Sequence, residues 1–119
     1  NGAFMEKNPK LVEDFVRITQ KAYAACVADF EPCLKALLDQ VTGLDRDEQL
    51  LQWGRIKYLM ADEFTTSKGL GWIDEGRMKS DYELVQAYLG IEKPFPAESA
   101  FTAKMLDPAV KMDAGKVPK

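Results

Sequence analysis

Two tryptophans are the residues of this 119-residue chain best suited to contact a bound molecule, because an indole ring can stack on a flat ligand. Trp53 stands at helical spacing among apolar residues, so it is expected to lie in the core. Trp72 follows a glycine-rich loop instead. Trp72 is therefore the residue that the sequence predicts to bind a ligand.

Two cysteines could form a disulfide. Cys26 and Cys33 lie seven positions apart across a predicted break between helices, so a tight helical hairpin would bring their side chains together. We expect the bond if the protein is exported, and two buried thiols if it stays in a reducing compartment. The sequence leaves both alternatives open, because the Cα separation decides whether the bond can form.

The composition argues against an enzyme and against a metal protein. The chain has no histidine, which removes the commonest general base and the commonest transition-metal ligand, and two cysteines alone do not make a zinc site. Asp45, Asp47 and Glu48 lack the twelve-residue ligand spacing of an EF-hand and are typical of a helix N-terminus. We predict no catalytic residue, no metal site and no cofactor.

Two further patterns have ordinary structural explanations. Asp62 and Glu63 are adjacent, so their carboxylates would point in different directions on a helix, and a solvated helix end is expected. The Gly69-Leu70-Gly71 segment lacks the third glycine and the lysine-serine pair of a phosphate-binding loop. We expect a turn there.

Charge and hydropathy argue against a nucleic-acid-binding protein and against a membrane-spanning protein. The formal net charge is -3 and the basic residues are scattered, which gives no surface for a phosphate backbone, so nucleic acid is not expected. Apolar residues make up 46% of the chain, but no apolar run approaches the roughly 18 residues that a membrane-spanning helix needs. A globular domain with one core is the expected class.

Helical spacing of apolar residues predicts two helices in the first part of the chain. A helix is predicted over 9–28, where Asn8 can cap free N–H groups and Pro9 occupies the first helical position. Pro32 cannot lie inside a continuing helix, so a second, shorter helix is expected to restart around it and to end before Gly43.

Two more helices and an irregular arm are predicted further along. Asp45 is expected to cap the third helix, a loop should follow over 65–71, and Asp74 should cap a fourth helix that ends at Gly90. Prolines after Gly90 prevent long regular elements, and residues 112–119 are predicted to form a flexible tail. The fold class is therefore mostly α, with residues 1–119 forming a single helical unit.

Two blocks of sequence resemble a known family. The first is Asn8 to Arg17 (NPKLVEDFVR), and the second is Gly69 to Met78 (GLGWIDEGRM), which Tyr88-Leu89-Gly90 follows. Phe101-Thr102 then matches the closing segment. In order and spacing these blocks are similar to the carboxy-terminal third of the NMT1/THI5-like solute-binding proteins, relatives of the binding components of thiamine-pyrimidine, nitrate and alkanesulfonate ABC importers.

The resemblance implies a fold and a function. Such proteins close two α/β lobes, joined by hinge strands, around a small organic solute outside the cytoplasm and deliver it to an ABC permease. The chain would then be the C-terminal helical part of a periplasmic-type binding protein, exported by a signal peptide outside this sequence. It would lack the sheets, the hinge and most of the binding cleft, and the resemblance assigns no role to the cysteines.

Helical faces that lack their sheet should be exposed, and two copies of the chain could cover them by forming a homodimer. The main alternative function is a free-standing helical protein-interaction module that offers a groove to a partner helix. A third alternative is a biosynthetic enzyme of the same wider family that makes a pyrimidine precursor, although the histidine and cysteine chemistry that it needs is not visible.

Overall fold

The computed structural model describes residues 1–117 and is mostly helical, which confirms the predicted class; no strand occurs in that part of the chain. Six α-helices follow one another: α1 Gly2–Lys7, α2 Pro9–Ala28, α3 Glu31–Gln40, α4 Arg46–Met60, α5 Glu63–Ser67 and α6 Glu75–Tyr88. Short 3₁₀ helices lie at Ala97–Ala100 and Ala114–Lys116. None of the helices within residues 1–117 is both long and apolar enough to span a membrane.

The predicted helix starts are confirmed, because each depends on residues that are neighbours in sequence. Helix α2 begins at Pro9, and α3 carries Pro32 in its first turn. The expectation that Asn8 caps α2 is wrong, because the Asn8 side chain makes no capping hydrogen bond and instead donates to the carbonyl of Phe4 at 3.1 Å. The Asp45 carboxylate accepts a hydrogen bond of 2.9 Å from the amide of Glu48 at the start of α4. Asp74 accepts one of 2.8 Å from the third residue of α6 in the same way. These side chains pair N–H groups that have no partner within the helix.

Two short helices were not predicted. Helix α1 follows Asn1, and α5 occupies the first part of the segment that we expected to be a loop over 65–71. Asp62 and Thr65 form a capping box, in which the Asp62 carboxylate accepts from the amide of Thr65 at 2.6 Å and the Thr65 hydroxyl accepts from the amide of Asp62 at 3.0 Å. A helix of five or six residues is too short to show an apolar period, which is why sequence spacing missed both.

The core is small and joins residues that are distant in sequence. Val27, Trp53, Leu70 and Met112 form the buried cluster. The ring of Phe30 stacks on Trp53 with 4.6 Å between centroids and 10° between planes. Trp53 is only 8% exposed, so the expectation that this tryptophan is a core residue is confirmed.

The C-terminal arm is pinned to α5 and to the loop after it. Met112 donates from its amide to the carbonyl of Thr65 at 2.9 Å, and Leu70 donates to the carbonyl of Val110 at 2.8 Å. Because Met112 is buried in the core, the expectation of a flexible tail starting at residue 112 is wrong at that point. Residues 118 and 119 of that predicted tail lie outside the described part of the chain.

One buried polar side chain holds α2 to both of these segments. The amide group of Gln20 donates to the carbonyl of Leu70 at 2.8 Å and to that of Asp107 at 3.3 Å, and it accepts from the amide N–H of Asp107 at 2.7 Å. Gln20 is 5% exposed. Its hydrogen-bonding atoms are thus paired inside the protein, as a buried amide requires.

The hairpin between α2 and α3 is closed by a disulfide between Cys26 and Cys33, whose Cα atoms are 5.8 Å apart. This separation lies in the usual range for such a bond. Beside it, an ion pair of 2.7 Å joins Glu31 of α3 to Arg46 of α4, and the carboxylate raises the pKa of the Arg46 guanidinium. Because both side chains are exposed, the pair adds little to the free energy of unfolding. Its main effect is to orient the start of α3 relative to the start of α4.

Much apolar surface is left uncovered. The accessible surface is 8886 Å², whereas a compact monomer of this mass exposes about 6,500 Å². The radius of gyration is 16.8 Å, against about 13.5 Å for a compact domain of this length. The helices therefore do not close around one core of ordinary size.

The uncovered surface forms stripes along individual helices. Helix α2 exposes one side made of Leu11, Phe15 and Ile18, which stand at helical spacing. Helix α6 has no buried residue and exposes Tyr88 and the following Leu89 by more than 80% each. Apolar stripes of this kind normally face a partner layer.

Replacing Gln20 with methionine tests the buried clamp. The change keeps the side-chain volume but removes the partners of the Leu70 carbonyl and the Asp107 amide, so we expect a loss of about 2–4 kcal/mol in the free energy of unfolding. Urea denaturation followed by circular dichroism measures the loss. The control is Gln86→Met on the exposed face of α6, which should change stability by less than about 0.5 kcal/mol; equal effects of the two substitutions would contradict the clamp.

Reducing the disulfide should destabilise the α2–α3 hairpin. A bond that closes a loop of this length restricts the unfolded chain by about 2 kcal/mol, so dithiothreitol should lower the midpoint of urea unfolding. The double variant Cys26→Ala, Cys33→Ala should start at the lower midpoint and should not respond to dithiothreitol. An identical response of the wild type and the double variant would contradict the bond.

Candidate binding cleft

A cleft of about 470 Å³ opens between α2, the end of α4 and the loop that leads into α6. Its lining is mainly apolar and aromatic and consists of these residues: Phe15, Val16, Thr19, Gln20, Tyr23, Leu59, Met60, Asp62, Thr65, Leu70, Gly71, Trp72, Arg77 and Leu106. The volume and the lining are those of a small-molecule site. A second concavity, of about 620 Å³ beside Phe95, also has aromatic and charged lining residues, but three of these are glutamates and one is a lysine.

The aromatic walls come from two distant parts of the chain. Phe15 and Tyr23 project from α2, two turns apart on the helix, and Trp72 projects from the loop before α6. Of these three aromatic residues, the sequence singles out Trp72 alone, and its role in binding a ligand stays a prediction. Phe15 and Tyr23 stand at helical spacing among apolar residues of α2, and no local signal distinguishes them from core residues.

Trp72 is half-buried, and the ammonium group of Lys68 lies over its ring. The Lys68 ammonium lies 4.8 Å from the centroid of the Trp72 ring and 5.0 Å from that of Phe64. Such a contact between an ammonium and an aromatic face is attractive by about 0.5–1 kcal/mol at an exposed site. Lys68 therefore helps to orient the indole at the edge of the cleft.

Backbone geometry brings the Trp72 loop against the C-terminal arm. Gly71 has a φ of +87°, a conformation that side chains disfavour, and a Cβ atom there would lie 3.5 Å from Leu106. A Cβ atom on Gly69, next to the Gln20 clamp, would likewise lie 3.5 Å from the carbonyl oxygen of Asp107. The two glycines let the loop bend back so that Trp72 faces α2.

The polar groups of the cleft are few and have distinct roles. Gln20 and Thr65 use their polar atoms within the protein, in the clamp and the capping box. Asp62 caps α5 through Oδ1. Arg77, the third residue of α6, lines the same cleft and has an exposed side chain. Polar recognition of a ligand would therefore fall on Asp62, Arg77 and the indole N–H of Trp72.

The other residues singled out in the sequence lie elsewhere. Cys26 and Trp53 line a separate, smaller cavity of about 270 Å³ behind the disulfide hairpin, and neither reaches the cleft. Within residues 1–117 no three histidine, cysteine, aspartate or glutamate side chains converge to hold a metal ion. The arrangement in the cleft is suited to binding by stacking, shape and charge.

The two tryptophans should report on different environments. We expect the Trp53→Phe protein, which retains only the half-buried Trp72, to emit at longer wavelength and to be quenched more strongly by acrylamide than the Trp72→Phe protein, which retains only the buried Trp53. Stern-Volmer plots of the two variants measure the difference. Equal quenching constants would contradict the placement of Trp72 at an open cleft; unchanged far-ultraviolet circular dichroism is the control for folding.

No family model, no curated protein and no solved structure matches the chain. The resemblance of the segments 8–17 and 69–78 to solute-binding proteins consequently stays a prediction. A proposal for function has to be supported by the cleft, the disulfide and the uncovered surface themselves.

Proposed function

We propose that this chain is a C-terminal helical part of the extracytoplasmic solute-binding component of an ABC importer. It binds a small organic solute reversibly and catalyses no reaction. The observation that carries the proposal is the aromatic cleft between α2 and the Trp72 loop.

The composition of the cleft supports binding of a small molecule. Small-molecule sites are concave, largely apolar, and carry a few convergent polar groups that orient the ligand. Here Phe15, Tyr23 and Trp72 supply stacking surfaces, and Asp62 and Arg77 supply charge at the edge. A flat solute between α2 and the Trp72 loop would touch both of the sequence blocks that resemble the family.

The disulfide supports an extracytoplasmic location. Cys26 and Cys33 are bonded, and such bonds persist in oxidising compartments and are rare in the cytosol. Both cysteines of the chain are used in this bond. Export to a periplasm or its equivalent accounts for this arrangement.

The uncovered helix faces support membership in a larger solute-binding body. In the proposed two-lobe protein, Leu11 and Ile18 of α2 and the exposed side of α6 pack on sheets of the lobes, which then deliver the solute to the permease. The surface of 8886 Å², far above that of a compact monomer of this mass, fits this role.

The same faces favour a second candidate, a helical interaction module whose partner is another helix or a second copy of the chain. The specific observation is the stripe of Leu11, Phe15 and Ile18, which presents residues at the i, i+4, i+7 positions typical of helix-in-groove recognition. The two candidates differ in what enters the cleft. A module needs no small solute there, whereas a solute-binding part does.

Fluorescence titration of the Trp53→Phe protein tests the solute-binding proposal. Trp72 is then the single reporter, and the panel should contain flat heteroaromatic compounds, nitrate, alkanesulfonates and small aromatic acids, alcohols and amines. We expect a saturable change in emission with at least one organic solute, because stacking on Trp72 alters its surroundings.

The Trp72→Phe protein is the matched control, since its remaining tryptophan lies outside the cleft and should respond little to the same solute. Isothermal titration calorimetry of the wild type provides a readout that does not depend on fluorescence. The absence of binding by every solute in both measurements would overturn the proposal and favour the interaction module.

A further inference from the structure

Every side-chain polar atom in the buried part of the cleft lining is already paired within the protein. Gln20, Thr65 and Leu70 are the buried lining residues, and both polar atoms of the Gln20 amide are used in the clamp. The Thr65 hydroxyl donates to the carbonyl of Met60 at 2.7 Å and accepts from the amide of Asp62 at 3.0 Å. Leu70 is apolar, so the buried lining leaves no unpaired side-chain group for a ligand.

The half-buried part of the lining is equally unsuited to a charge. The hydroxyl of Thr19 donates to the carbonyl of Phe15 at 2.8 Å, and Val16, Met60 and Leu106 are apolar. A charged group placed against these side chains would lose its hydration without gaining a partner, which is costly. The body of a bound solute is therefore uncharged.

The lining carries one charge of each sign, and both are at the surface. Asp62 and Arg77 have exposed side chains, and within residues 1–117 neither has an opposite charge within 4 Å. Lys68 lies outside the lining, and its ammonium is engaged with the rings of Phe64 and Trp72 at 5.0 and 4.8 Å. The charges of the lining itself thus balance.

A balanced pair of charges favours a head group that is polar but uncharged. A carboxylate would be attracted by Arg77 and repelled by Asp62, and an ammonium would meet the reverse, so neither gains from the pair as a whole. A group with both a donor and an acceptor can donate to the carboxylate and accept from the guanidinium, and hydrogen bonds to charged partners are the stronger kind. A primary carboxamide has both functions.

We propose that the cleft selects an uncharged solute with an aromatic body and one neutral head, such as a carboxamide, that both donates and accepts hydrogen bonds. The body lies between Phe15, Tyr23 and the Trp72 indole, and the head lies at the edge with Asp62 and Arg77. This assignment rests on the proposed function, because it names the class of solute that the same cleft takes.

A matched series of ligands tests the class of solute. 3-Phenylpropanamide, 3-phenylpropanoate and 3-phenylpropylamine share one body and carry a neutral, a negative and a positive head at pH 7. Titrated into the Trp53→Phe protein, the amide should bind about tenfold more tightly than either charged ligand, because it brings no charge to the apolar walls. Its affinity should hardly change with ionic strength, since it carries no charge to be screened.

Substitutions that break the balance of charge test the two residues. Arg77→Gln leaves the carboxylate as the single charge of the lining, so the affinity ratio of the amine to the acid should rise by about two- to fivefold, as expected for an exposed charge. Asp62→Asn leaves the guanidinium alone and should lower that ratio by a similar factor. Asparagine caps a helix as well as aspartate does, so α5 should persist in this variant.

Each substitution has a matched control that removes the same charge outside the cleft. Lys79→Gln lies on the same helix as Arg77 but lines the concavity beside Phe95. Asp45→Asn changes the N-cap of α4 in the way that Asp62→Asn changes the N-cap of α5, and Asp45 does not line the cleft. Both controls should leave the ratio of the amine to the acid unchanged.

The outcomes separate this inference from the proposed function. If the acid or the amine binds as tightly as the amide, or if the controls shift the ratio as much as Arg77→Gln and Asp62→Asn do, the cleft binds solutes but the assignment to uncharged ones is overturned. Unchanged ratios in the two cleft variants would also overturn it. If none of the three ligands and no member of the wider panel binds, the solute-binding function itself fails together with this inference.

Discussion

The buried amide of Gln20 is the contact on which the arrangement of the described chain depends. It joins α2 to the Leu70 carbonyl and to both backbone groups of Asp107, across sequence separations of 50 and 87 residues. An apolar side chain of the same size would tolerate sliding of these segments, but a buried amide with three directed hydrogen bonds fixes their register. Trp72, two residues beyond Leu70, takes its place at the cleft as a consequence.

A small core explains why one polar contact matters so much. Four side chains form the buried cluster, while apolar stripes on α2 and α6 remain exposed. Hydrophobic burial is weakly directional, so a core of this size would not by itself specify how the loop, the arm and α2 meet. The capping box of α5 and the hydrogen bonds from Leu70 and Met112 are directional, so they fix the positions of the loop and the arm that the core alone leaves unspecified.

The parts that could be predicted from sequence are those whose cause is local. Asp45 and Asp74 cap helices because the amides they accept from lie three residues away, and Pro32 fits a first turn wherever the chain goes next. Met112 was interpreted as part of a tail because its partner Thr65 lies 47 positions earlier. The glycine-rich loop singles out Trp72 in the sequence, whereas Phe15 and Tyr23 line the cleft only through the long-range contacts that Gln20 fixes.

The core and the cleft are connected through one series of aromatic contacts. Phe30, held near the disulfide hairpin, stacks on Trp53 at 4.6 Å, and Trp53 lies 6.4 Å from the ring of Tyr23. Tyr23 in turn forms a wall of the cleft. The disulfide between Cys26 and Cys33 therefore does more than restrict the unfolded chain: by fixing the hairpin that carries Phe30, it supports the packing behind Tyr23 and keeps that wall in place opposite Trp72.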